Sequence, residues 1–315
     1  MGKGKIVIAL GGNALQSGKE SATAEAQLKT VHKTCEEIIK IVKEGYQIVL
    51  AHGNGPQVGR ILLASETAGH VTPVMPFDVC GAMSQGYIGY HIQQGMGDAI
   101  RRHLKEAIPV VTVVTQVVVS REDPGFKNPT KPIGPFYDEE EAKQIAYEKG
   151  YTMREDSGRG WRRVVASPIP KRIVEIDIVR SLWKEAIVIA AGGGGVPVAE
   201  DKDGSLIGVE AVIDKDFAAG LMAEELNADV LLILTEVEKA AINFGKADET
   251  SLSLITVREA ENYIKEGHFA PGSMLPKIEA AVRFAKSGEG RRAIITSLYS
   301  GVRALKGETG TIIIG

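Results

Sequence analysis

Three segments of the 315-residue chain end a run of aliphatic residues on glycines, and this pattern indicates a binding site for an anion. They are IVIALGGNAL (6–15), IVLAHGNGPQVG (48–59) and IVIAAGGGGVPV (187–198). A short continuous apolar run is typical of a buried parallel strand, and glycine after it lets backbone N–H groups approach a ligand. Three such strand ends, brought side by side in one sheet, would form an anion cradle.

Three lysines in unusual settings are candidates for the cations that a phosphoryl group would need, because phosphoryl transfer places negative charge on several oxygens. Lys215 lies between Asp214 and Asp216. Lys277 follows the sequence MLP, and Lys131 lies between prolines in NPTKPIGPF. Asp214 is explained equally well as an N-cap of the helix that begins near residue 217. Asp216 could instead accept hydrogen bonds from two lysines and hold them in place.

Other phosphate-binding and catalytic motifs do not fit the chain. The Walker pattern is nearly matched at Gly18 and Lys19, but Asn13 replaces its first glycine and Glu20 replaces its Ser or Thr. The glycine spacing over 53–59 fails the dinucleotide fingerprint, and the protein-kinase motifs and the G-x-S-x-G elbow are absent. The sequence therefore predicts a different phosphate-binding device.

Composition narrows the class of protein. The chain has 37 basic and 40 acidic residues, scattered rather than clustered, so we expect no nucleic-acid partner. With only two cysteines, and a start that enters a strand instead of a signal peptide, a reducing cytoplasm is expected. No apolar run approaches the roughly 20 residues of a membrane helix. His32 and Cys35 share a helix face without further ligands, so no metal site is predicted.

Alternating strands and helices must position these residues. Helical spacing predicts helices over 22–45 and 78–104, and β-branched density predicts a strand over 109–119. The proline-rich stretch 120–170 is predicted to be an inserted subdomain or lid within a single domain spanning 1–315. Its run GRGWRRVV is interpreted either as an anion clamp or, more simply, as one face of a β-hairpin. The order predicts an α/β fold with a largely parallel sheet, helices on both faces, and ligands at the carboxyl ends of the strands.

Six motifs of the chain closely resemble the carbamate kinase family of the amino acid kinase superfamily. They are ALGGNA, AHGNGPQVG, NPTKPIGPF, EDSGRGWRRVV, GVEAVIDKD and HFAPGSMLPKIEAA, and the resemblance runs from Lys5 to about Gly310. It implies a three-layer α/β/α sandwich around an open, mainly parallel sheet, and a homodimer. It also implies reversible phosphoryl transfer between ATP and carbamate with Mg²⁺, giving carbamoyl phosphate and ADP and usually running towards ATP.

The resemblance also implies roles for individual residues. Lys215 and Lys277 would neutralise the transferring phosphoryl group and the leaving ADP, organised by Asp216, while Lys131 on the lid would approach the carbamate. The amides of one group would hold the phosphoryl groups and the small acceptor: Gly11, Gly12, Gly53 and Gly55, with Asn13 and Asn54 nearby. A second group would bind the nucleotide: Asp214, Thr235 with the loop after it and, in the segment 271–274, Gly272, Ser273 and Met274.

One position discriminates between members of the superfamily. Acetylglutamate kinase and several relatives carry a catalytic lysine in the first strand, whereas this chain has Ala9 there, and Lys215 resembles its replacement in carbamate kinases. An acetylglutamate kinase or another small-carboxylate kinase is therefore the weaker alternative. A nucleotide-binding regulator on the same fold would lack a charge-stabilising lysine, but Lys215 and Lys277 are both present.

Overall fold

Strands and helices alternate along the computed structural model, which describes residues 3–16, 23–156 and 158–315. The strands are β1 (Gly4–Leu10), β2 (Tyr46–His52), β3 (Val110–Thr112), β4 (Gln116–Val119), β5 (Lys131–Tyr137), β6 (Met153–Glu155), β7 (Trp161–Val165), β8 (Pro170–Ile173), β9 (Ile187–Ile189), β10 (Val196–Glu200), β11 (Leu206–Gly208), β12 (Val230–Thr235), β13 (Ala241–Ile242), β14 (Thr250–Ser251), β15 (Leu254–Thr256), β16 (Arg292–Ser297) and β17 (Thr311–Ile314). The helices are α1 (Ala24–Lys43), α2 (Gly55–Thr67), α3 (Phe77–His103), α4 (Pro124–Lys127), α5 (Glu139–Lys149), α6 (Ile176–Leu182), α7 (Lys215–Glu225), α8 (Val257–Lys265), α9 (Met274–Lys286) and α10 (Gly301–Leu305).

The central sheet has eight strands in the order β15-β17-β16-β12-β1-β2-β9-β3. Every neighbouring pair is parallel except β16 and β17, which are antiparallel. This arrangement confirms the predicted mainly parallel α/β sheet. Because parallel strands share one carboxyl edge, the loops that follow β1, β2, β12 and β16 meet there.

Helices cover both faces of this sheet, as the side chains of β1 illustrate. Ile6, Ile8 and Leu10 belong to a buried cluster with residues of α1 and α3, whereas Val7 and Ala9 belong to another with residues of α7 and α9. All five side chains have no exposed surface. Strand side chains alternate between faces, so a strand covered on both sides has a continuous apolar sequence.

The predicted strand over 109–119 is wrong as a single element, because it forms two strands in two sheets. β3 pairs with β9 in the central sheet, whereas β4 joins a second sheet in the order β11-β10-β4-β8. Between them, Thr115 exchanges hydrogen bonds with the Gln85 side chain of α3, at 2.8 and 3.1 Å. High β-branched density marks extended backbone, but it does not show that the chain passes from one sheet to another.

Residues 120–169 lie between β4 and β8, which pair antiparallel. This segment contains a three-stranded sheet, β5-β7-β6, together with α4 and α5. Its strand β5 lies directly on α2: a Cβ atom on Gly59 would be 2.8 Å from the Cα atom of Gly134. Glu66 of α2 adds polar contacts, accepting hydrogen bonds from Lys149 at 2.5 Å and from the Tyr151 hydroxyl at 2.8 Å.

Within the described residues, no helix combines the length and the apolar character needed to cross a bilayer.

Candidate active site

A cavity of about 640 Å³ opens at the carboxyl edge of the central sheet. Its walls come from the loops after β1, β12 and β16, from the start of α9, and from Lys215 at the start of α7. Predicted residues that line it are Gly11, Gly12, Asn13, Lys215, Thr235, Gly272, Ser273, Met274 and Lys277. The structure therefore brings together segments that lie more than 250 positions apart in the sequence.

Backbone amides at two loops are available to an anion. Among the described residues, four N–H groups there have no hydrogen-bond partner: those of Gly12, Asn13, Asn54 and Gly55. The N–H groups of Gly11 and Gly53 are instead occupied, donating to the carbonyls of Leu234 and Leu10 at 3.1 and 3.2 Å. The anion donors are therefore displaced by one residue from the first glycine of each loop.

Asp216 holds two lysines at once, which is the arrangement expected from the sequence. Lys215 Nζ donates to Oδ1 at 2.5 Å, and Lys277 Nζ donates to Oδ2 at 3.3 Å. Asp216 is only 2% exposed, so its charge is screened little by water. These two bonds hold both ammonium groups on one buried carboxylate, and both lysines line the cavity.

Asp214 is the N-cap of α7 and also an anchor for Lys131. Its Oδ1 accepts from the N–H of Asp216 at 2.9 Å, and its Oδ2 accepts from Lys131 Nζ at 2.6 Å. Burial alone would raise the pKa of the Asp214 carboxyl, but the charges of Lys131 and Lys215 outweigh it and lower that pKa. Both oxygens are thus engaged within the protein, and Asp214 does not line the cavity.

Several cavity residues were not predicted from the sequence. They are Ala14, Leu234, Ser297, Leu298 and Tyr299, whereas Glu236 and Val237 lie on the loop after Thr235, where the nucleotide was expected. The strand Arg292–Ser297 is recognisable in the sequence, but only its pairing with β12 shows that the loop after it reaches the site. Asn13 also donates a hydrogen bond to Glu236, which links the loops after β1 and β12.

A family model described as "Amino acid kinase family" matches residues 4–297 of this chain. The chain belongs to the amino acid kinase family. A carbamate kinase of Pyrococcus horikoshii is 53% identical over 310 residues, covering 98% of each chain. One of Clostridium perfringens is 52% identical over 315 residues, covering 98% of this chain and 99% of the relative. A solved structure of carbamate kinase from Giardia lamblia bound to AMP-PNP superposes on this chain with a TM-score of 0.91 at 48% identity. The match covers 99% of this chain and 98% of the Giardia chain.

In this member of the amino acid kinase family the third glycine segment follows β9, which lies beside β2 in the central sheet, as predicted. Gly192, Gly193 and Gly194 are buried and do not line the cavity, and neither do Gly53, Asn54 and Gly55 of the second loop. A Cβ atom on Gly193 would be 2.1 Å from Asn54 Nδ2, and one on Gly192 would be 2.5 Å from His52 Nε2. The third segment therefore packs directly against the second loop.

His52 cannot serve as a base at neutral pH. Its Nδ1 lies 2.8 Å from the Gly53 carbonyl oxygen, and because a carbonyl only accepts, Nδ1 carries the proton. Nε2 is buried without a partner among the described residues, and burial lowers the His52 pKa to about 4. The imidazole is thus neutral and closed off from the cavity.

The basic run at 158–165 forms part of a hairpin, with Arg162 paired to Asp156 at 3.2 Å and Arg163 paired to Glu210, so the clamp interpretation has no support. Among the described residues no group of three or more His, Cys, Asp or Glu side chains could hold a metal ion. Gly18 and Lys19, which nearly match the Walker pattern, lie outside the described residues.

Proposed function

We propose that this chain is a carbamate kinase, transferring a phosphoryl group reversibly between ATP and carbamate to give ADP and carbamoyl phosphate. The observation that carries the proposal is the pair of ammonium groups held on buried Asp216, beside unpaired amides, at the wall of a cavity of about 640 Å³. That cavity has the size of a small-molecule or cofactor site. The near full-length identity to carbamate kinases supports the choice of acceptor.

The described residues suit a phosphoryl transfer that depends on positioning and charge. The nucleotide would occupy the cavity, with its phosphates near the amides of Gly12 and Asn13 and near Lys215 and Lys277. These cations would stabilise negative charge that spreads over the phosphoryl oxygens in the transition state. Asp216 would keep both ammonium groups in place before the substrate arrives, so little reorganisation is needed during the reaction.

The acceptor side needs enclosure rather than a general base. A carbamate oxygen is already anionic and can attack the phosphoryl group in line, which agrees with the complete burial of His52 away from the cavity. Carbamate is small and offers little binding energy of its own for orientation, so water has to be excluded by the protein. We propose that the subdomain 120–170 acts as the lid, and that Lys131 leaves Asp214 to contact the carbamate group.

Magnesium would arrive with the nucleotide. Mg²⁺ is commonly bound by one or two carboxylates together with substrate phosphates, rather than by an all-protein cage. The described residues contain no such cage, and Glu236 offers a carboxylate in the cavity wall. Glu236 would hold the ion together with the phosphates, and the bound ion would neutralise part of the phosphate charge.

We further propose a cytoplasmic homodimer that works towards ATP in arginine or carbamoyl phosphate catabolism. Val79, Met83 and Tyr90 follow one face of α3 and are 38%, 49% and 57% exposed. A second copy of the chain would cover this apolar face. Light scattering of the purified protein tests the dimer, since a monomer mass at micromolar concentration would contradict it.

The direct test is ATP formation from ADP and carbamoyl phosphate with Mg²⁺, followed with luciferase. We expect ATP to appear with carbamoyl phosphate and not in its absence. N-acetylglutamate with ATP is the parallel reaction, because it is the substrate of the alternative kinase. Phosphorylation of N-acetylglutamate without ATP formation from carbamoyl phosphate would overturn the proposal.

A further inference from the structure

We propose that Asn54 selects the acceptor: its Oδ1 accepts a hydrogen bond from the amino group of carbamate or carbamoyl phosphate, and Ser84 is the positioning residue that orients it. Asn54 follows β2 at the cradle, and Ser84 lies on α3. The inference rests on the proposed function and adds to it a means of telling carbamate from acetate, which carries a methyl group in place of the amino group.

The orientation of the Asn54 carboxamide follows from its hydrogen-bond chain. The Ser84 hydroxyl lies 2.6 Å from the Gly81 carbonyl oxygen, which can only accept, so the hydroxyl proton points there. The Ser84 oxygen must then accept from Asn54, and the atom 2.8 Å away is the amide nitrogen Nδ2. Asn54 Oδ1 is therefore turned away from Ser84.

The Asn54 side chain does not have its usual role at a helix N-terminus. It occupies the N-cap position of α2, where asparagine commonly accepts a hydrogen bond from the first turn, but no such bond forms. Instead its carboxamide fills the space above Gly193, where a Cβ atom would lie 2.1 Å from Nδ2 and 2.7 Å from Oδ1. A residue larger than glycine at 193 would displace it.

Asn54 Oδ1 is left as an available acceptor. No donor among the described residues reaches this oxygen. Asn54 as a whole is only 8% exposed, but Oδ1 is not one of the fully buried side-chain atoms without a partner. It is therefore still reachable from solvent. A polar atom that is held rigidly and mostly desolvated favours a partner that can donate, because an apolar group would leave it unpaired.

The groups around Asn54 indicate where the anionic oxygens of the substrate would bind. The unpaired N–H groups of Asn54 and Gly55 suit anionic oxygens, and a Cβ atom on Gly53 would be 3.4 Å from Lys215 Cδ, so the catalytic lysine passes beside this loop. Donors and a cation attract the carboxylate or phosphoryl oxygens, whereas Oδ1 repels them. The amino group is the part of carbamate that Oδ1 can accept from.

The test compares carbamoyl phosphate with acetyl phosphate as phosphoryl donors to ADP. We expect Asn54→Leu, which removes Oδ1, and Ser84→Ala, which frees the carboxamide to rotate, to lower kcat/KM for carbamoyl phosphate about tenfold. Acetyl phosphate cannot donate to Oδ1, so the ratio of the two kcat/KM values, carbamoyl phosphate over acetyl phosphate, should fall about tenfold in both variants. Acetyl phosphate is also measured as a competitive inhibitor, so its binding is known in each variant whatever its turnover.

The matched control is Ser181→Ala on α6, because the Ser181 hydroxyl also donates to a backbone carbonyl of its own helix, that of Asp177 at 2.9 Å, away from the cavity. It should leave both donors unchanged. An equal loss with both donors in the Asn54 and Ser84 variants would overturn the inference while leaving the proposed function intact. Wild-type protein that makes no ATP from carbamoyl phosphate would overturn the proposed function itself.

Discussion

Acidification should destabilise the folded chain through His52, whose side chain has no exposed surface. Burial lowers the His52 pKa from 6.5 to about 4. In the unfolded chain the imidazole is free to bind a proton near its ordinary pKa. Between these two values the unfolded state binds more protons than the folded state, so the free energy of unfolding falls as the pH falls through this window.

The size of the effect follows from the two pKa values. A gap from 6.5 to about 4 corresponds to about 3 kcal/mol once the pH is below both values. At pH 5 the unfolded imidazole is almost fully protonated and the folded one is almost neutral, which gives about 2 kcal/mol relative to pH 8. This is a substantial part of the roughly 5–15 kcal/mol that stabilises a typical domain.

Urea unfolding followed by circular dichroism at pH 5, 6, 7 and 8 measures this contribution when wild type is compared with His52→Asn. Asparagine does not titrate, and its Nδ2 can replace Nδ1 as the donor to Gly53. We expect the wild type to lose about 2 kcal/mol more than the variant between pH 8 and pH 5. His70→Asn, at an exposed position, should follow the wild-type curve. Parallel curves for wild type and His52→Asn would refute the reasoning.

Three further predictions concern the lysines, the cap and the thiols. Lys215→Ala should lower kcat by about 10²–10³-fold, because the charge of Lys215 acts mainly in the transition state. Lys202→Ala, on the exposed surface, should leave kcat unchanged. A change below about threefold in Lys215→Ala would remove Lys215 from the catalytic group. Asp214→Ala should lower the free energy of unfolding by about 1 kcal/mol more than Asp214→Asn, which can still cap α7, and equal losses in urea would contradict a capping role. Iodoacetamide should leave activity unchanged and should label Cys35 and Cys80 only in urea. Both thiols are fully buried, and burial raises their pKa values. Adducts found on the native protein by mass spectrometry would show that a thiol is accessible.

Much of the fold and part of the site could be predicted from the sequence, because the signals concerned are local. An apolar run ending on glycine predicts a buried strand and its loop, and Ala9 in such a run faces a fully buried layer. Lys215 and Asp216 are adjacent in the chain, and Lys277 stands at the start of a helix, so their charges were recognisable before their distances were known. Charge, helical period and turn residues are properties of short segments.

Only the tertiary structure decided which segments meet. Strand order brings Ser297, at the end of β16, to the cavity, and it packs the third glycine segment against Asn54. The N–H groups of Gly11 and Gly53 are already hydrogen-bonded to neighbouring strands, so the free donors begin one residue further along each loop. Such outcomes depend on hydrogen bonds and contacts between residues far apart in the chain, and a local pattern contains no information about that pairing.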